Sequence, residues 1–160
     1  MSFELEPTFS LRPATEEDID RIMSIEKNAY PNPWTAEAFR LELTKPFSHF
    51  LVLTDDQTDN VFAGYIVFWM LFDECHILNV VVHPDWRGLG LARKMIEKAR
   101  SLSLAKDLKR LFLEVRKSNK AAVALYQKMG FFIDHIKKSF YEDGEDAYFM
   151  QLFLDKSNKI

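Results

Sequence analysis

The chain has almost no thiol chemistry to offer: its 160 residues include one cysteine, Cys75, which rules out an internal disulfide. Cys75 and His76 together are too few ligands for a metal, and His49, His83 and His135 lack ligand spacing, so no metal is expected. Cys75 reads as a small packed side chain. Long hydrophobic runs are missing too. The longest, Val61 to Phe72, falls far short of the ~20 residues that span a bilayer, and Met1-Ser2-Phe3-Glu4 has neither a charged n-region nor an apolar h-region. A soluble, cytoplasmic chain with no membrane partner is the expectation. Charge of one sign is also scarce: 21 Lys and Arg against 24 Asp and Glu give a net −3, and no basic run exceeds a few residues. That leaves nothing to support direct nucleic-acid binding or a polybasic anchor, while a basic polypeptide remains open as a partner. There is no internal repeat, linker or low-complexity stretch. With 48% hydrophobic residues the chain can bury one full core and is short for two, so a single domain over 1–160 is expected, with nothing demanding more than a monomer.

What the chain does have is concentrated between Ile77 and Ala105. Ile77-Leu78-Asn79-Val80-Val81-Val82 is a β-branched, nearly continuous apolar segment of strand length, stopped at Pro84, which cannot donate to a ladder. From Ala92 the apolar residues Ala92, Met95, Ile96, Ala99 and Leu102 recur at helical spacing, opposite Arg93, Lys94, Glu97 and Lys98. Between strand and helix lies a turn with two glycines, Gly88 and Gly90, and no acid between Asp85 and Glu97. The first amides of a helix have no intrahelical partner and carry the positive end of its dipole, and a glycine has no Cβ to keep a ligand off the backbone. A phosphate or pyrophosphate is the fitting occupant. Two glycines in isolation would indicate a tight turn and no more.

A P-loop needs Gly-Lys-Ser/Thr where Gly90-Leu91-Ala92 stands, and a dinucleotide turn needs G-x-G-x-x-G early in a βαβ unit; neither is present. The pattern that is present, Arg87-x-x-Gly90-x-Ala92, resembles the acetyl-CoA loop of the GNAT N-acetyltransferase superfamily. The resemblance implies that the backbone of Arg87, Gly88, Leu89, Gly90, Leu91 and Ala92 holds the CoA pyrophosphate, and that Asn79, Val80 and Val81 pair with its pantetheine arm.

Around this centre the remaining elements are legible. Leu11-Arg12-Pro13 closes a short first strand. Thr15-x-x-Asp18 resembles a capping box before a helix to about Ala29 that buries Ile19, Ile22 and Met23. Tyr30-Pro31-Asn32-Pro33-Trp34 breaks it, and Thr35 caps a second short helix with Phe39, Leu41 and Leu43. His49–Thr54, Val61–Met70 and Glu74–Val82 read as an antiparallel meander. Leu111 to Val115 is a buried strand, and Ser118 caps a helix presenting Ala122, Leu125, Tyr126 and Met129, ended by Gly130. Phe131–Ser139 and Asp146–Leu154 read as two strands joined at Asp143-Gly144. This order matches the GNAT layout: an α/β (α+β) fold with a mixed, mostly antiparallel seven-stranded sheet flanked by four helices.

Glu114 is the odd residue within Leu-Phe-Leu-Glu-Val, since a buried charge without a partner costs several kcal/mol. Asn119 and Tyr126, nearly two turns apart on the predicted helix, project from one side. Residue patterns alone leave Glu114 structural or functional, Tyr126 a core aromatic and Asn119 part of a helix start. However, Leu113 to Asn119 followed by Ala124 to Phe131 resembles the RimI-type branch, the ribosomal-protein alanine N-acetyltransferases, as do Asn32-Pro33-Trp34-Thr35 and Asp143 to Ala147. That resemblance implies Glu114 as proton acceptor, Tyr126 as proton donor and Asn119 as a CoA contact. It also implies that Tyr30, Trp34 and Tyr141 clamp the acceptor, although for Trp34 and Tyr141 aromatic packing under a loop is an equal reading.

The expectation is therefore an acetyl-CoA-dependent enzyme that acetylates the N-terminal alanine of a small-subunit ribosomal protein. The alternatives are transfer to lysine, a polyamine or another small amine, and a non-catalytic CoA-binding or partner-binding module.

Overall fold

The computed structural model describes residues 7–155. Its first helix starts as the capping pattern requires: the Thr15 amide donates to Asp18 Oδ2 at 2.8 Å, and a short 3-10 turn over Glu16–Asp18 leads into α1 (Ile19–Ala29). Thr35 Oγ1 then accepts from the Ala38 amide at 3.1 Å to open α2 (Ala36–Glu42). With β1 (Phe9–Pro13), β2 (Ser48–Asp55), β3 (Phe62–Leu71), β4 (Glu74–Val82), α3 (Leu91–Ala105), β5 (Arg110–Arg116), α4 (Lys120–Lys128), β6 (Phe132–Lys137) and β7 (Ala147–Phe153), the element order is the expected one.

The seven strands form one sheet in the order β1-β2-β3-β4-β5-β7-β6. Every neighbouring pair is antiparallel except β4 with β5. On one face α1 and α2 bury Ile19, Ile22, Ile25 and Phe39 against Val52, Tyr65, Val67 and Val81. On the other, α3 sets Met95, Ile96 and Ala99 against Ile66, Phe68, Cys75 and Ile77. Each fully buried aliphatic side chain contributes about 1.5–3 kcal/mol relative to exposure. No helix among the described residues is long and apolar enough to cross a membrane.

Several local expectations change. Met23 is only half-buried, and Ile25 joins Ile19 and Ile22 in the core. Leu41 is 50% exposed, and α2 instead buries Glu42, which accepts from Trp69 Nε1 at 2.8 Å and from Lys45 Nζ at 2.7 Å. Asn119, not Ser118, caps α4, its Oδ1 accepting from the Ala122 amide at 3.3 Å. β6 stops at Lys137, and the Asp-Gly signal lies inside a longer loop in which the Gly144 amide donates to the Tyr141 carbonyl at 2.9 Å. Gly130 ends α4 as expected, at φ 102°, with the Phe131 amide donating to the Tyr126 carbonyl at 2.9 Å. Cys75 is fully buried, and burial pushes its thiol up to about 11.

The sheet is interrupted at its centre. Val67 pairs with Asn79 and Phe68 with Ile77, so Leu78 is an extra residue in β4. Such a bulge bends the strand and resets which side chains face each layer. Parallel pairing with β5 ends at the same place, Ile77 opposite Leu113, and beyond it β4 and β5 part. The fork leaves the β5-facing backbone edge of Asn79 to Val82 without a strand partner. Gly64 holds the other edge close: a Cβ there would stand 2.4 Å from the Val81 carbonyl oxygen.

Candidate active site

The fork opens into two adjoining clefts. One, about 320 Å3, lies along the Arg87 turn and is lined by Arg87, Gly88, Gly90, Leu91, Ala92 and Arg93. The local sequence explains its shape. His83 Nδ1 accepts from the Asp85 amide at 3.0 Å and caps a 3-10 turn over Pro84–Trp86; Gly88 at φ 81° and Gly90 at φ 75° then redirect the chain into α3. Gly90 occupies the N-cap and has no side chain to satisfy the first amides of α3, and no atom lies within 4 Å of where a Cβ would stand on either glycine. Two arginines and no carboxylate line this cleft, so its charge, its glycines and its free amides all suit a phosphorylated ligand.

Not every residue expected here is present in the same way. The Leu89 side chain is 61% exposed and lines neither cleft. Val81 is buried in the core beneath α1, lines neither cleft, and holds its carbonyl close to Gly64 on β3. Asn79 borders the second cleft, but its buried amide turns toward α1 and donates to Glu26 Oε2 at 3.2 Å.

That second cleft, about 280 Å3, is lined by Glu114, Tyr126, Tyr30, Trp34, Tyr141 and Asn119, among others. Tyr30, Val80, Asn119 and Tyr126 border both clefts and mark where they meet. Asn119 reaches this junction while also capping α4, so helix start and cleft wall are one residue. The Tyr126 ring lies 5.8 Å from Phe131, and its hydroxyl has no hydrogen-bond partner among the described residues. Burial, with Tyr141 nearby, pushes it up to about 12, which keeps it protonated and able to donate at neutral pH. The Tyr30 hydroxyl donates to the Val80 carbonyl at 3.2 Å on the open edge of β4, and burial raises this phenol as well.

Glu114 is 12% exposed, and both of its oxygens are engaged. His76 Nε2 stands 2.7 Å from Oε2, and Lys137 Nζ donates to Oε1 at 2.9 Å. Burial pushes this carboxyl up, but the bonds from His76 and Lys137 outweigh burial and hold it below the ordinary carboxylate value. Neither partner was visible in the chain, being 38 and 23 residues away. No local signal links them: on the folded sheet His76 pairs with Phe112, two residues before Glu114.

Two further clasps shape the entrance. Glu26, wholly buried on α1, accepts from the Trp34 amide at 3.1 Å, the Tyr65 hydroxyl at 2.5 Å and the Asn79 amide at 3.2 Å, tying the α1–α2 loop to β3 and β4. Arg116 Nη1 donates to Asp143 Oδ2 at 2.8 Å and Glu145 Oε1 at 2.9 Å, and Glu145 Oε2 accepts from the Ser118 amide at 2.9 Å. These bonds fix the β6–β7 loop, and Tyr141 with it, beside the start of α4. A carboxylate-bearing wall, two fixed loops and a protonated phenol form a site suited to a cationic amine and proton exchange.

Comparison with known proteins identifies the family and the fold. The family model described as "Acetyltransferase (GNAT) family" matches residues 19–131. The chain is 38% identical to a putative ribosomal protein bS18-alanine N-acetyltransferase of Bacillus subtilis, over 88% of this chain and 92% of that one. The crystal structure of the ribosomal-protein-S18-alanine N-acetyltransferase of Escherichia coli superposes with a TM-score of 0.81 at 28% identity, covering 96% of this chain and 99% of that one. Arabidopsis thaliana NAA60, solved in complex with acetyl-CoA, shares the fold at 20% identity and TM-score 0.81, over 92% and 99% of the two chains.

Proposed function

The chain belongs to the GNAT family of N-acetyltransferases, and from that premise we propose that it transfers acetyl from acetyl-CoA to the N-terminal α-amine of a polypeptide, the alanine that begins a small-subunit ribosomal protein. The acceptor is inferred from the named activity of the Bacillus and Escherichia relatives. The observation that carries the reading is the continuity of the two clefts at Tyr126: the basic, glycine-lined one fits a pyrophosphate, and the Glu114-lined one fits an amine.

Residue by residue, the amides from Arg87 to Ala92 hold the CoA diphosphate, with Asn119 as a further contact at the junction. The open edge of Asn79, Val80 and Val81 carries backbone groups for the pantetheine arm and an N–H for the thioester oxygen. Acetyl-CoA supplies the activated acyl group. Tyr30, Trp34 and Tyr141 flank the acceptor. Glu114 accepts the proton that the amine loses, directly or through a water, and the Tyr126 hydroxyl hydrogen-bonds the departing sulfur and gives its proton late, since a phenol is a weaker acid than a thiol.

The choice of acceptor follows from magnitudes. An α-amine of pKa about 8 is roughly a tenth neutral at pH 7, whereas a lysine near 10.4 is neutral about 0.04% of the time. Deprotonation costs about 1.4 kcal/mol for the first and about 4.6 for the second. A carboxylate held below its ordinary basicity suits the easier task.

Thiol release from acetyl-CoA, followed with an Ala-starting peptide, an internal-lysine peptide and spermidine, tests the reading. The Ala-starting peptide is expected to be fastest by at least about tenfold, one decade of transition-state discrimination. A faster lysine or spermidine reaction moves the acceptor to a side-chain or small amine. No release with any of them makes the protein a CoA-binding module.

A further inference from the structure

Three charged side chains line the second cleft: Glu114, Arg116 and Glu142. Two of them are engaged inside the protein. Glu114 holds His76 and Lys137, while Arg116 binds Asp143 and Glu145 and sits over the Tyr141 ring with its Cζ 4.0 Å from the centroid. Glu142 is exposed and makes no hydrogen bond or ion pair among the described residues. On a loose loop such a carboxylate would carry no meaning, because water serves it well. This loop is held. The Gly144 amide donates to the Tyr141 carbonyl at 2.9 Å and the Tyr141 amide to the Glu145 carbonyl at 3.2 Å, Gly144 stands at φ 90°, and Arg116 clasps the adjacent Asp143 at 2.8 Å. Glu142 is the first central residue of that closed turn, so its backbone is fixed at the mouth of the cleft.

A second, independent feature lies two residues earlier. The Phe140 ring lines the same cleft, meets Tyr141 edge-on at 5.1 Å and is 46% exposed. Lys137 Nζ stands 5.3 Å from its centroid, and Glu114 holds that ammonium. A half-open apolar ring and a carboxylate without a partner, side by side on one rim, are the two surfaces a guanidinium satisfies at once, its plane on the ring and its fork on the oxygens. An extended acceptor advances ~3.3 Å per residue, so with its amine at Glu114 the side chains that pass the mouth belong to its second or third residue. We propose that Glu142, with the Phe140 ring beside it, is a specificity-determining residue that selects an arginine at the second or third position of the acceptor polypeptide. The proposal rests on the acetyl-transfer reading and names a feature of the acceptor beyond its amine.

The experiment compares kcat/KM for three Ala-starting peptides that carry arginine, alanine or glutamate at residues two and three, with wild type, Glu142→Gln and Glu142→Lys. One exposed ion pair shifts a rate only a few-fold, but replacing it by a like-charge contact adds repulsion to lost attraction, so wild type is expected to prefer the arginine peptide to the glutamate peptide by about tenfold, with the alanine peptide between them. In Glu142→Gln that ratio is expected to shrink to about threefold or less, and in Glu142→Lys to invert. A merely structural role for Glu142 would lower all three rates together and leave the ratio alone. Equal rates on the arginine and glutamate peptides in wild type, or a ratio that Glu142→Lys leaves unchanged, overturns the proposal. A wild type inactive on every peptide overturns the transfer reading instead. The Kd of the same peptides for the CoA-bound protein, by calorimetry, then still decides the role of Glu142: a tighter arginine peptide whose advantage inverts in Glu142→Lys upholds it, and equal affinities overturn it.

Discussion

The Arg116 guanidinium sits over the Tyr141 ring, its Cζ 4.0 Å from the centroid, while Nη1 of the same group donates to Asp143 and Glu145. One side chain, 9% exposed, thus holds both the β6–β7 loop and an aromatic that lines the second cleft. A lysine keeps the charge and loses the broad guanidinium that meets the ring and both carboxylates at once. Arg116→Lys is expected to raise the KM for the acceptor peptide about five- to tenfold, roughly the 1–1.4 kcal/mol of one desolvated cation–π contact, and to leave kcat within twofold. Steady-state kinetics with saturating acetyl-CoA checks this.

Tyr126 stands where the two clefts join, with a hydroxyl that stays protonated. Tyr126→Phe removes one oxygen from a site otherwise intact. General-acid assistance contributes about 10²–10⁴-fold, so kcat is expected to fall by at least about a hundredfold, with the affinity for acetyl-CoA nearly unchanged by calorimetry. An unchanged kcat would remove Tyr126 from the mechanism.

Gly90 combines φ 75° with open space around its missing Cβ. In Gly90→Ala the left-handed backbone costs about 1–2 kcal/mol of stability, because only glycine adopts it freely. The added methyl meets nothing in the protein and would meet a diphosphate seated on the turn. The loss in CoA affinity is therefore expected to exceed the loss in stability, by tenfold or more in Kd, when calorimetry is compared with urea unfolding. Equal affinities would show that the turn does not hold the cofactor.

The Glu114 carboxyl sits below its unfolded value, so the unfolded chain binds more protons than the folded one as pH falls through that interval. Its contribution to stability is fully present above the unfolded value of about 4.3 and is lost as pH drops through the lower folded value. Lys137→Met removes one of the two groups that hold it down. The stability difference between pH 7 and pH 3, read from urea midpoints, is expected to be smaller in this variant than in wild type.

Local chemistry could be read directly wherever it was local. The Arg87 turn is legible because glycine, a helix start and the absence of acid all lie within a few neighbouring residues. Thr35 and Gly130 terminate helices by bonds to residues three to five away. Either Ser118 or Asn119 could cap α4 by its chemistry; in the fold Asn119 does so, and the Ser118 amide is held by Glu145, 27 residues away in the β6–β7 loop. His76, Lys137, Arg116 and Glu26 gave no sign of their roles, since each acquires its partner only when distant strands and loops meet.

By itself the order of residues determined the strands and helices, their sequence and the loop that suits a diphosphate, because periodicity, β-branching, capping and glycine act over a turn or two of chain. Tertiary structure alone decided where the sheet opens. The extra residue at Leu78 exists only in register against Phe68 and Val67, and it parts β4 from β5 at Ile77. Pairing between strands is a property of two segments at once, so no single stretch could have disclosed that fork, or the imidazole and ammonium that grip Glu114 beside it.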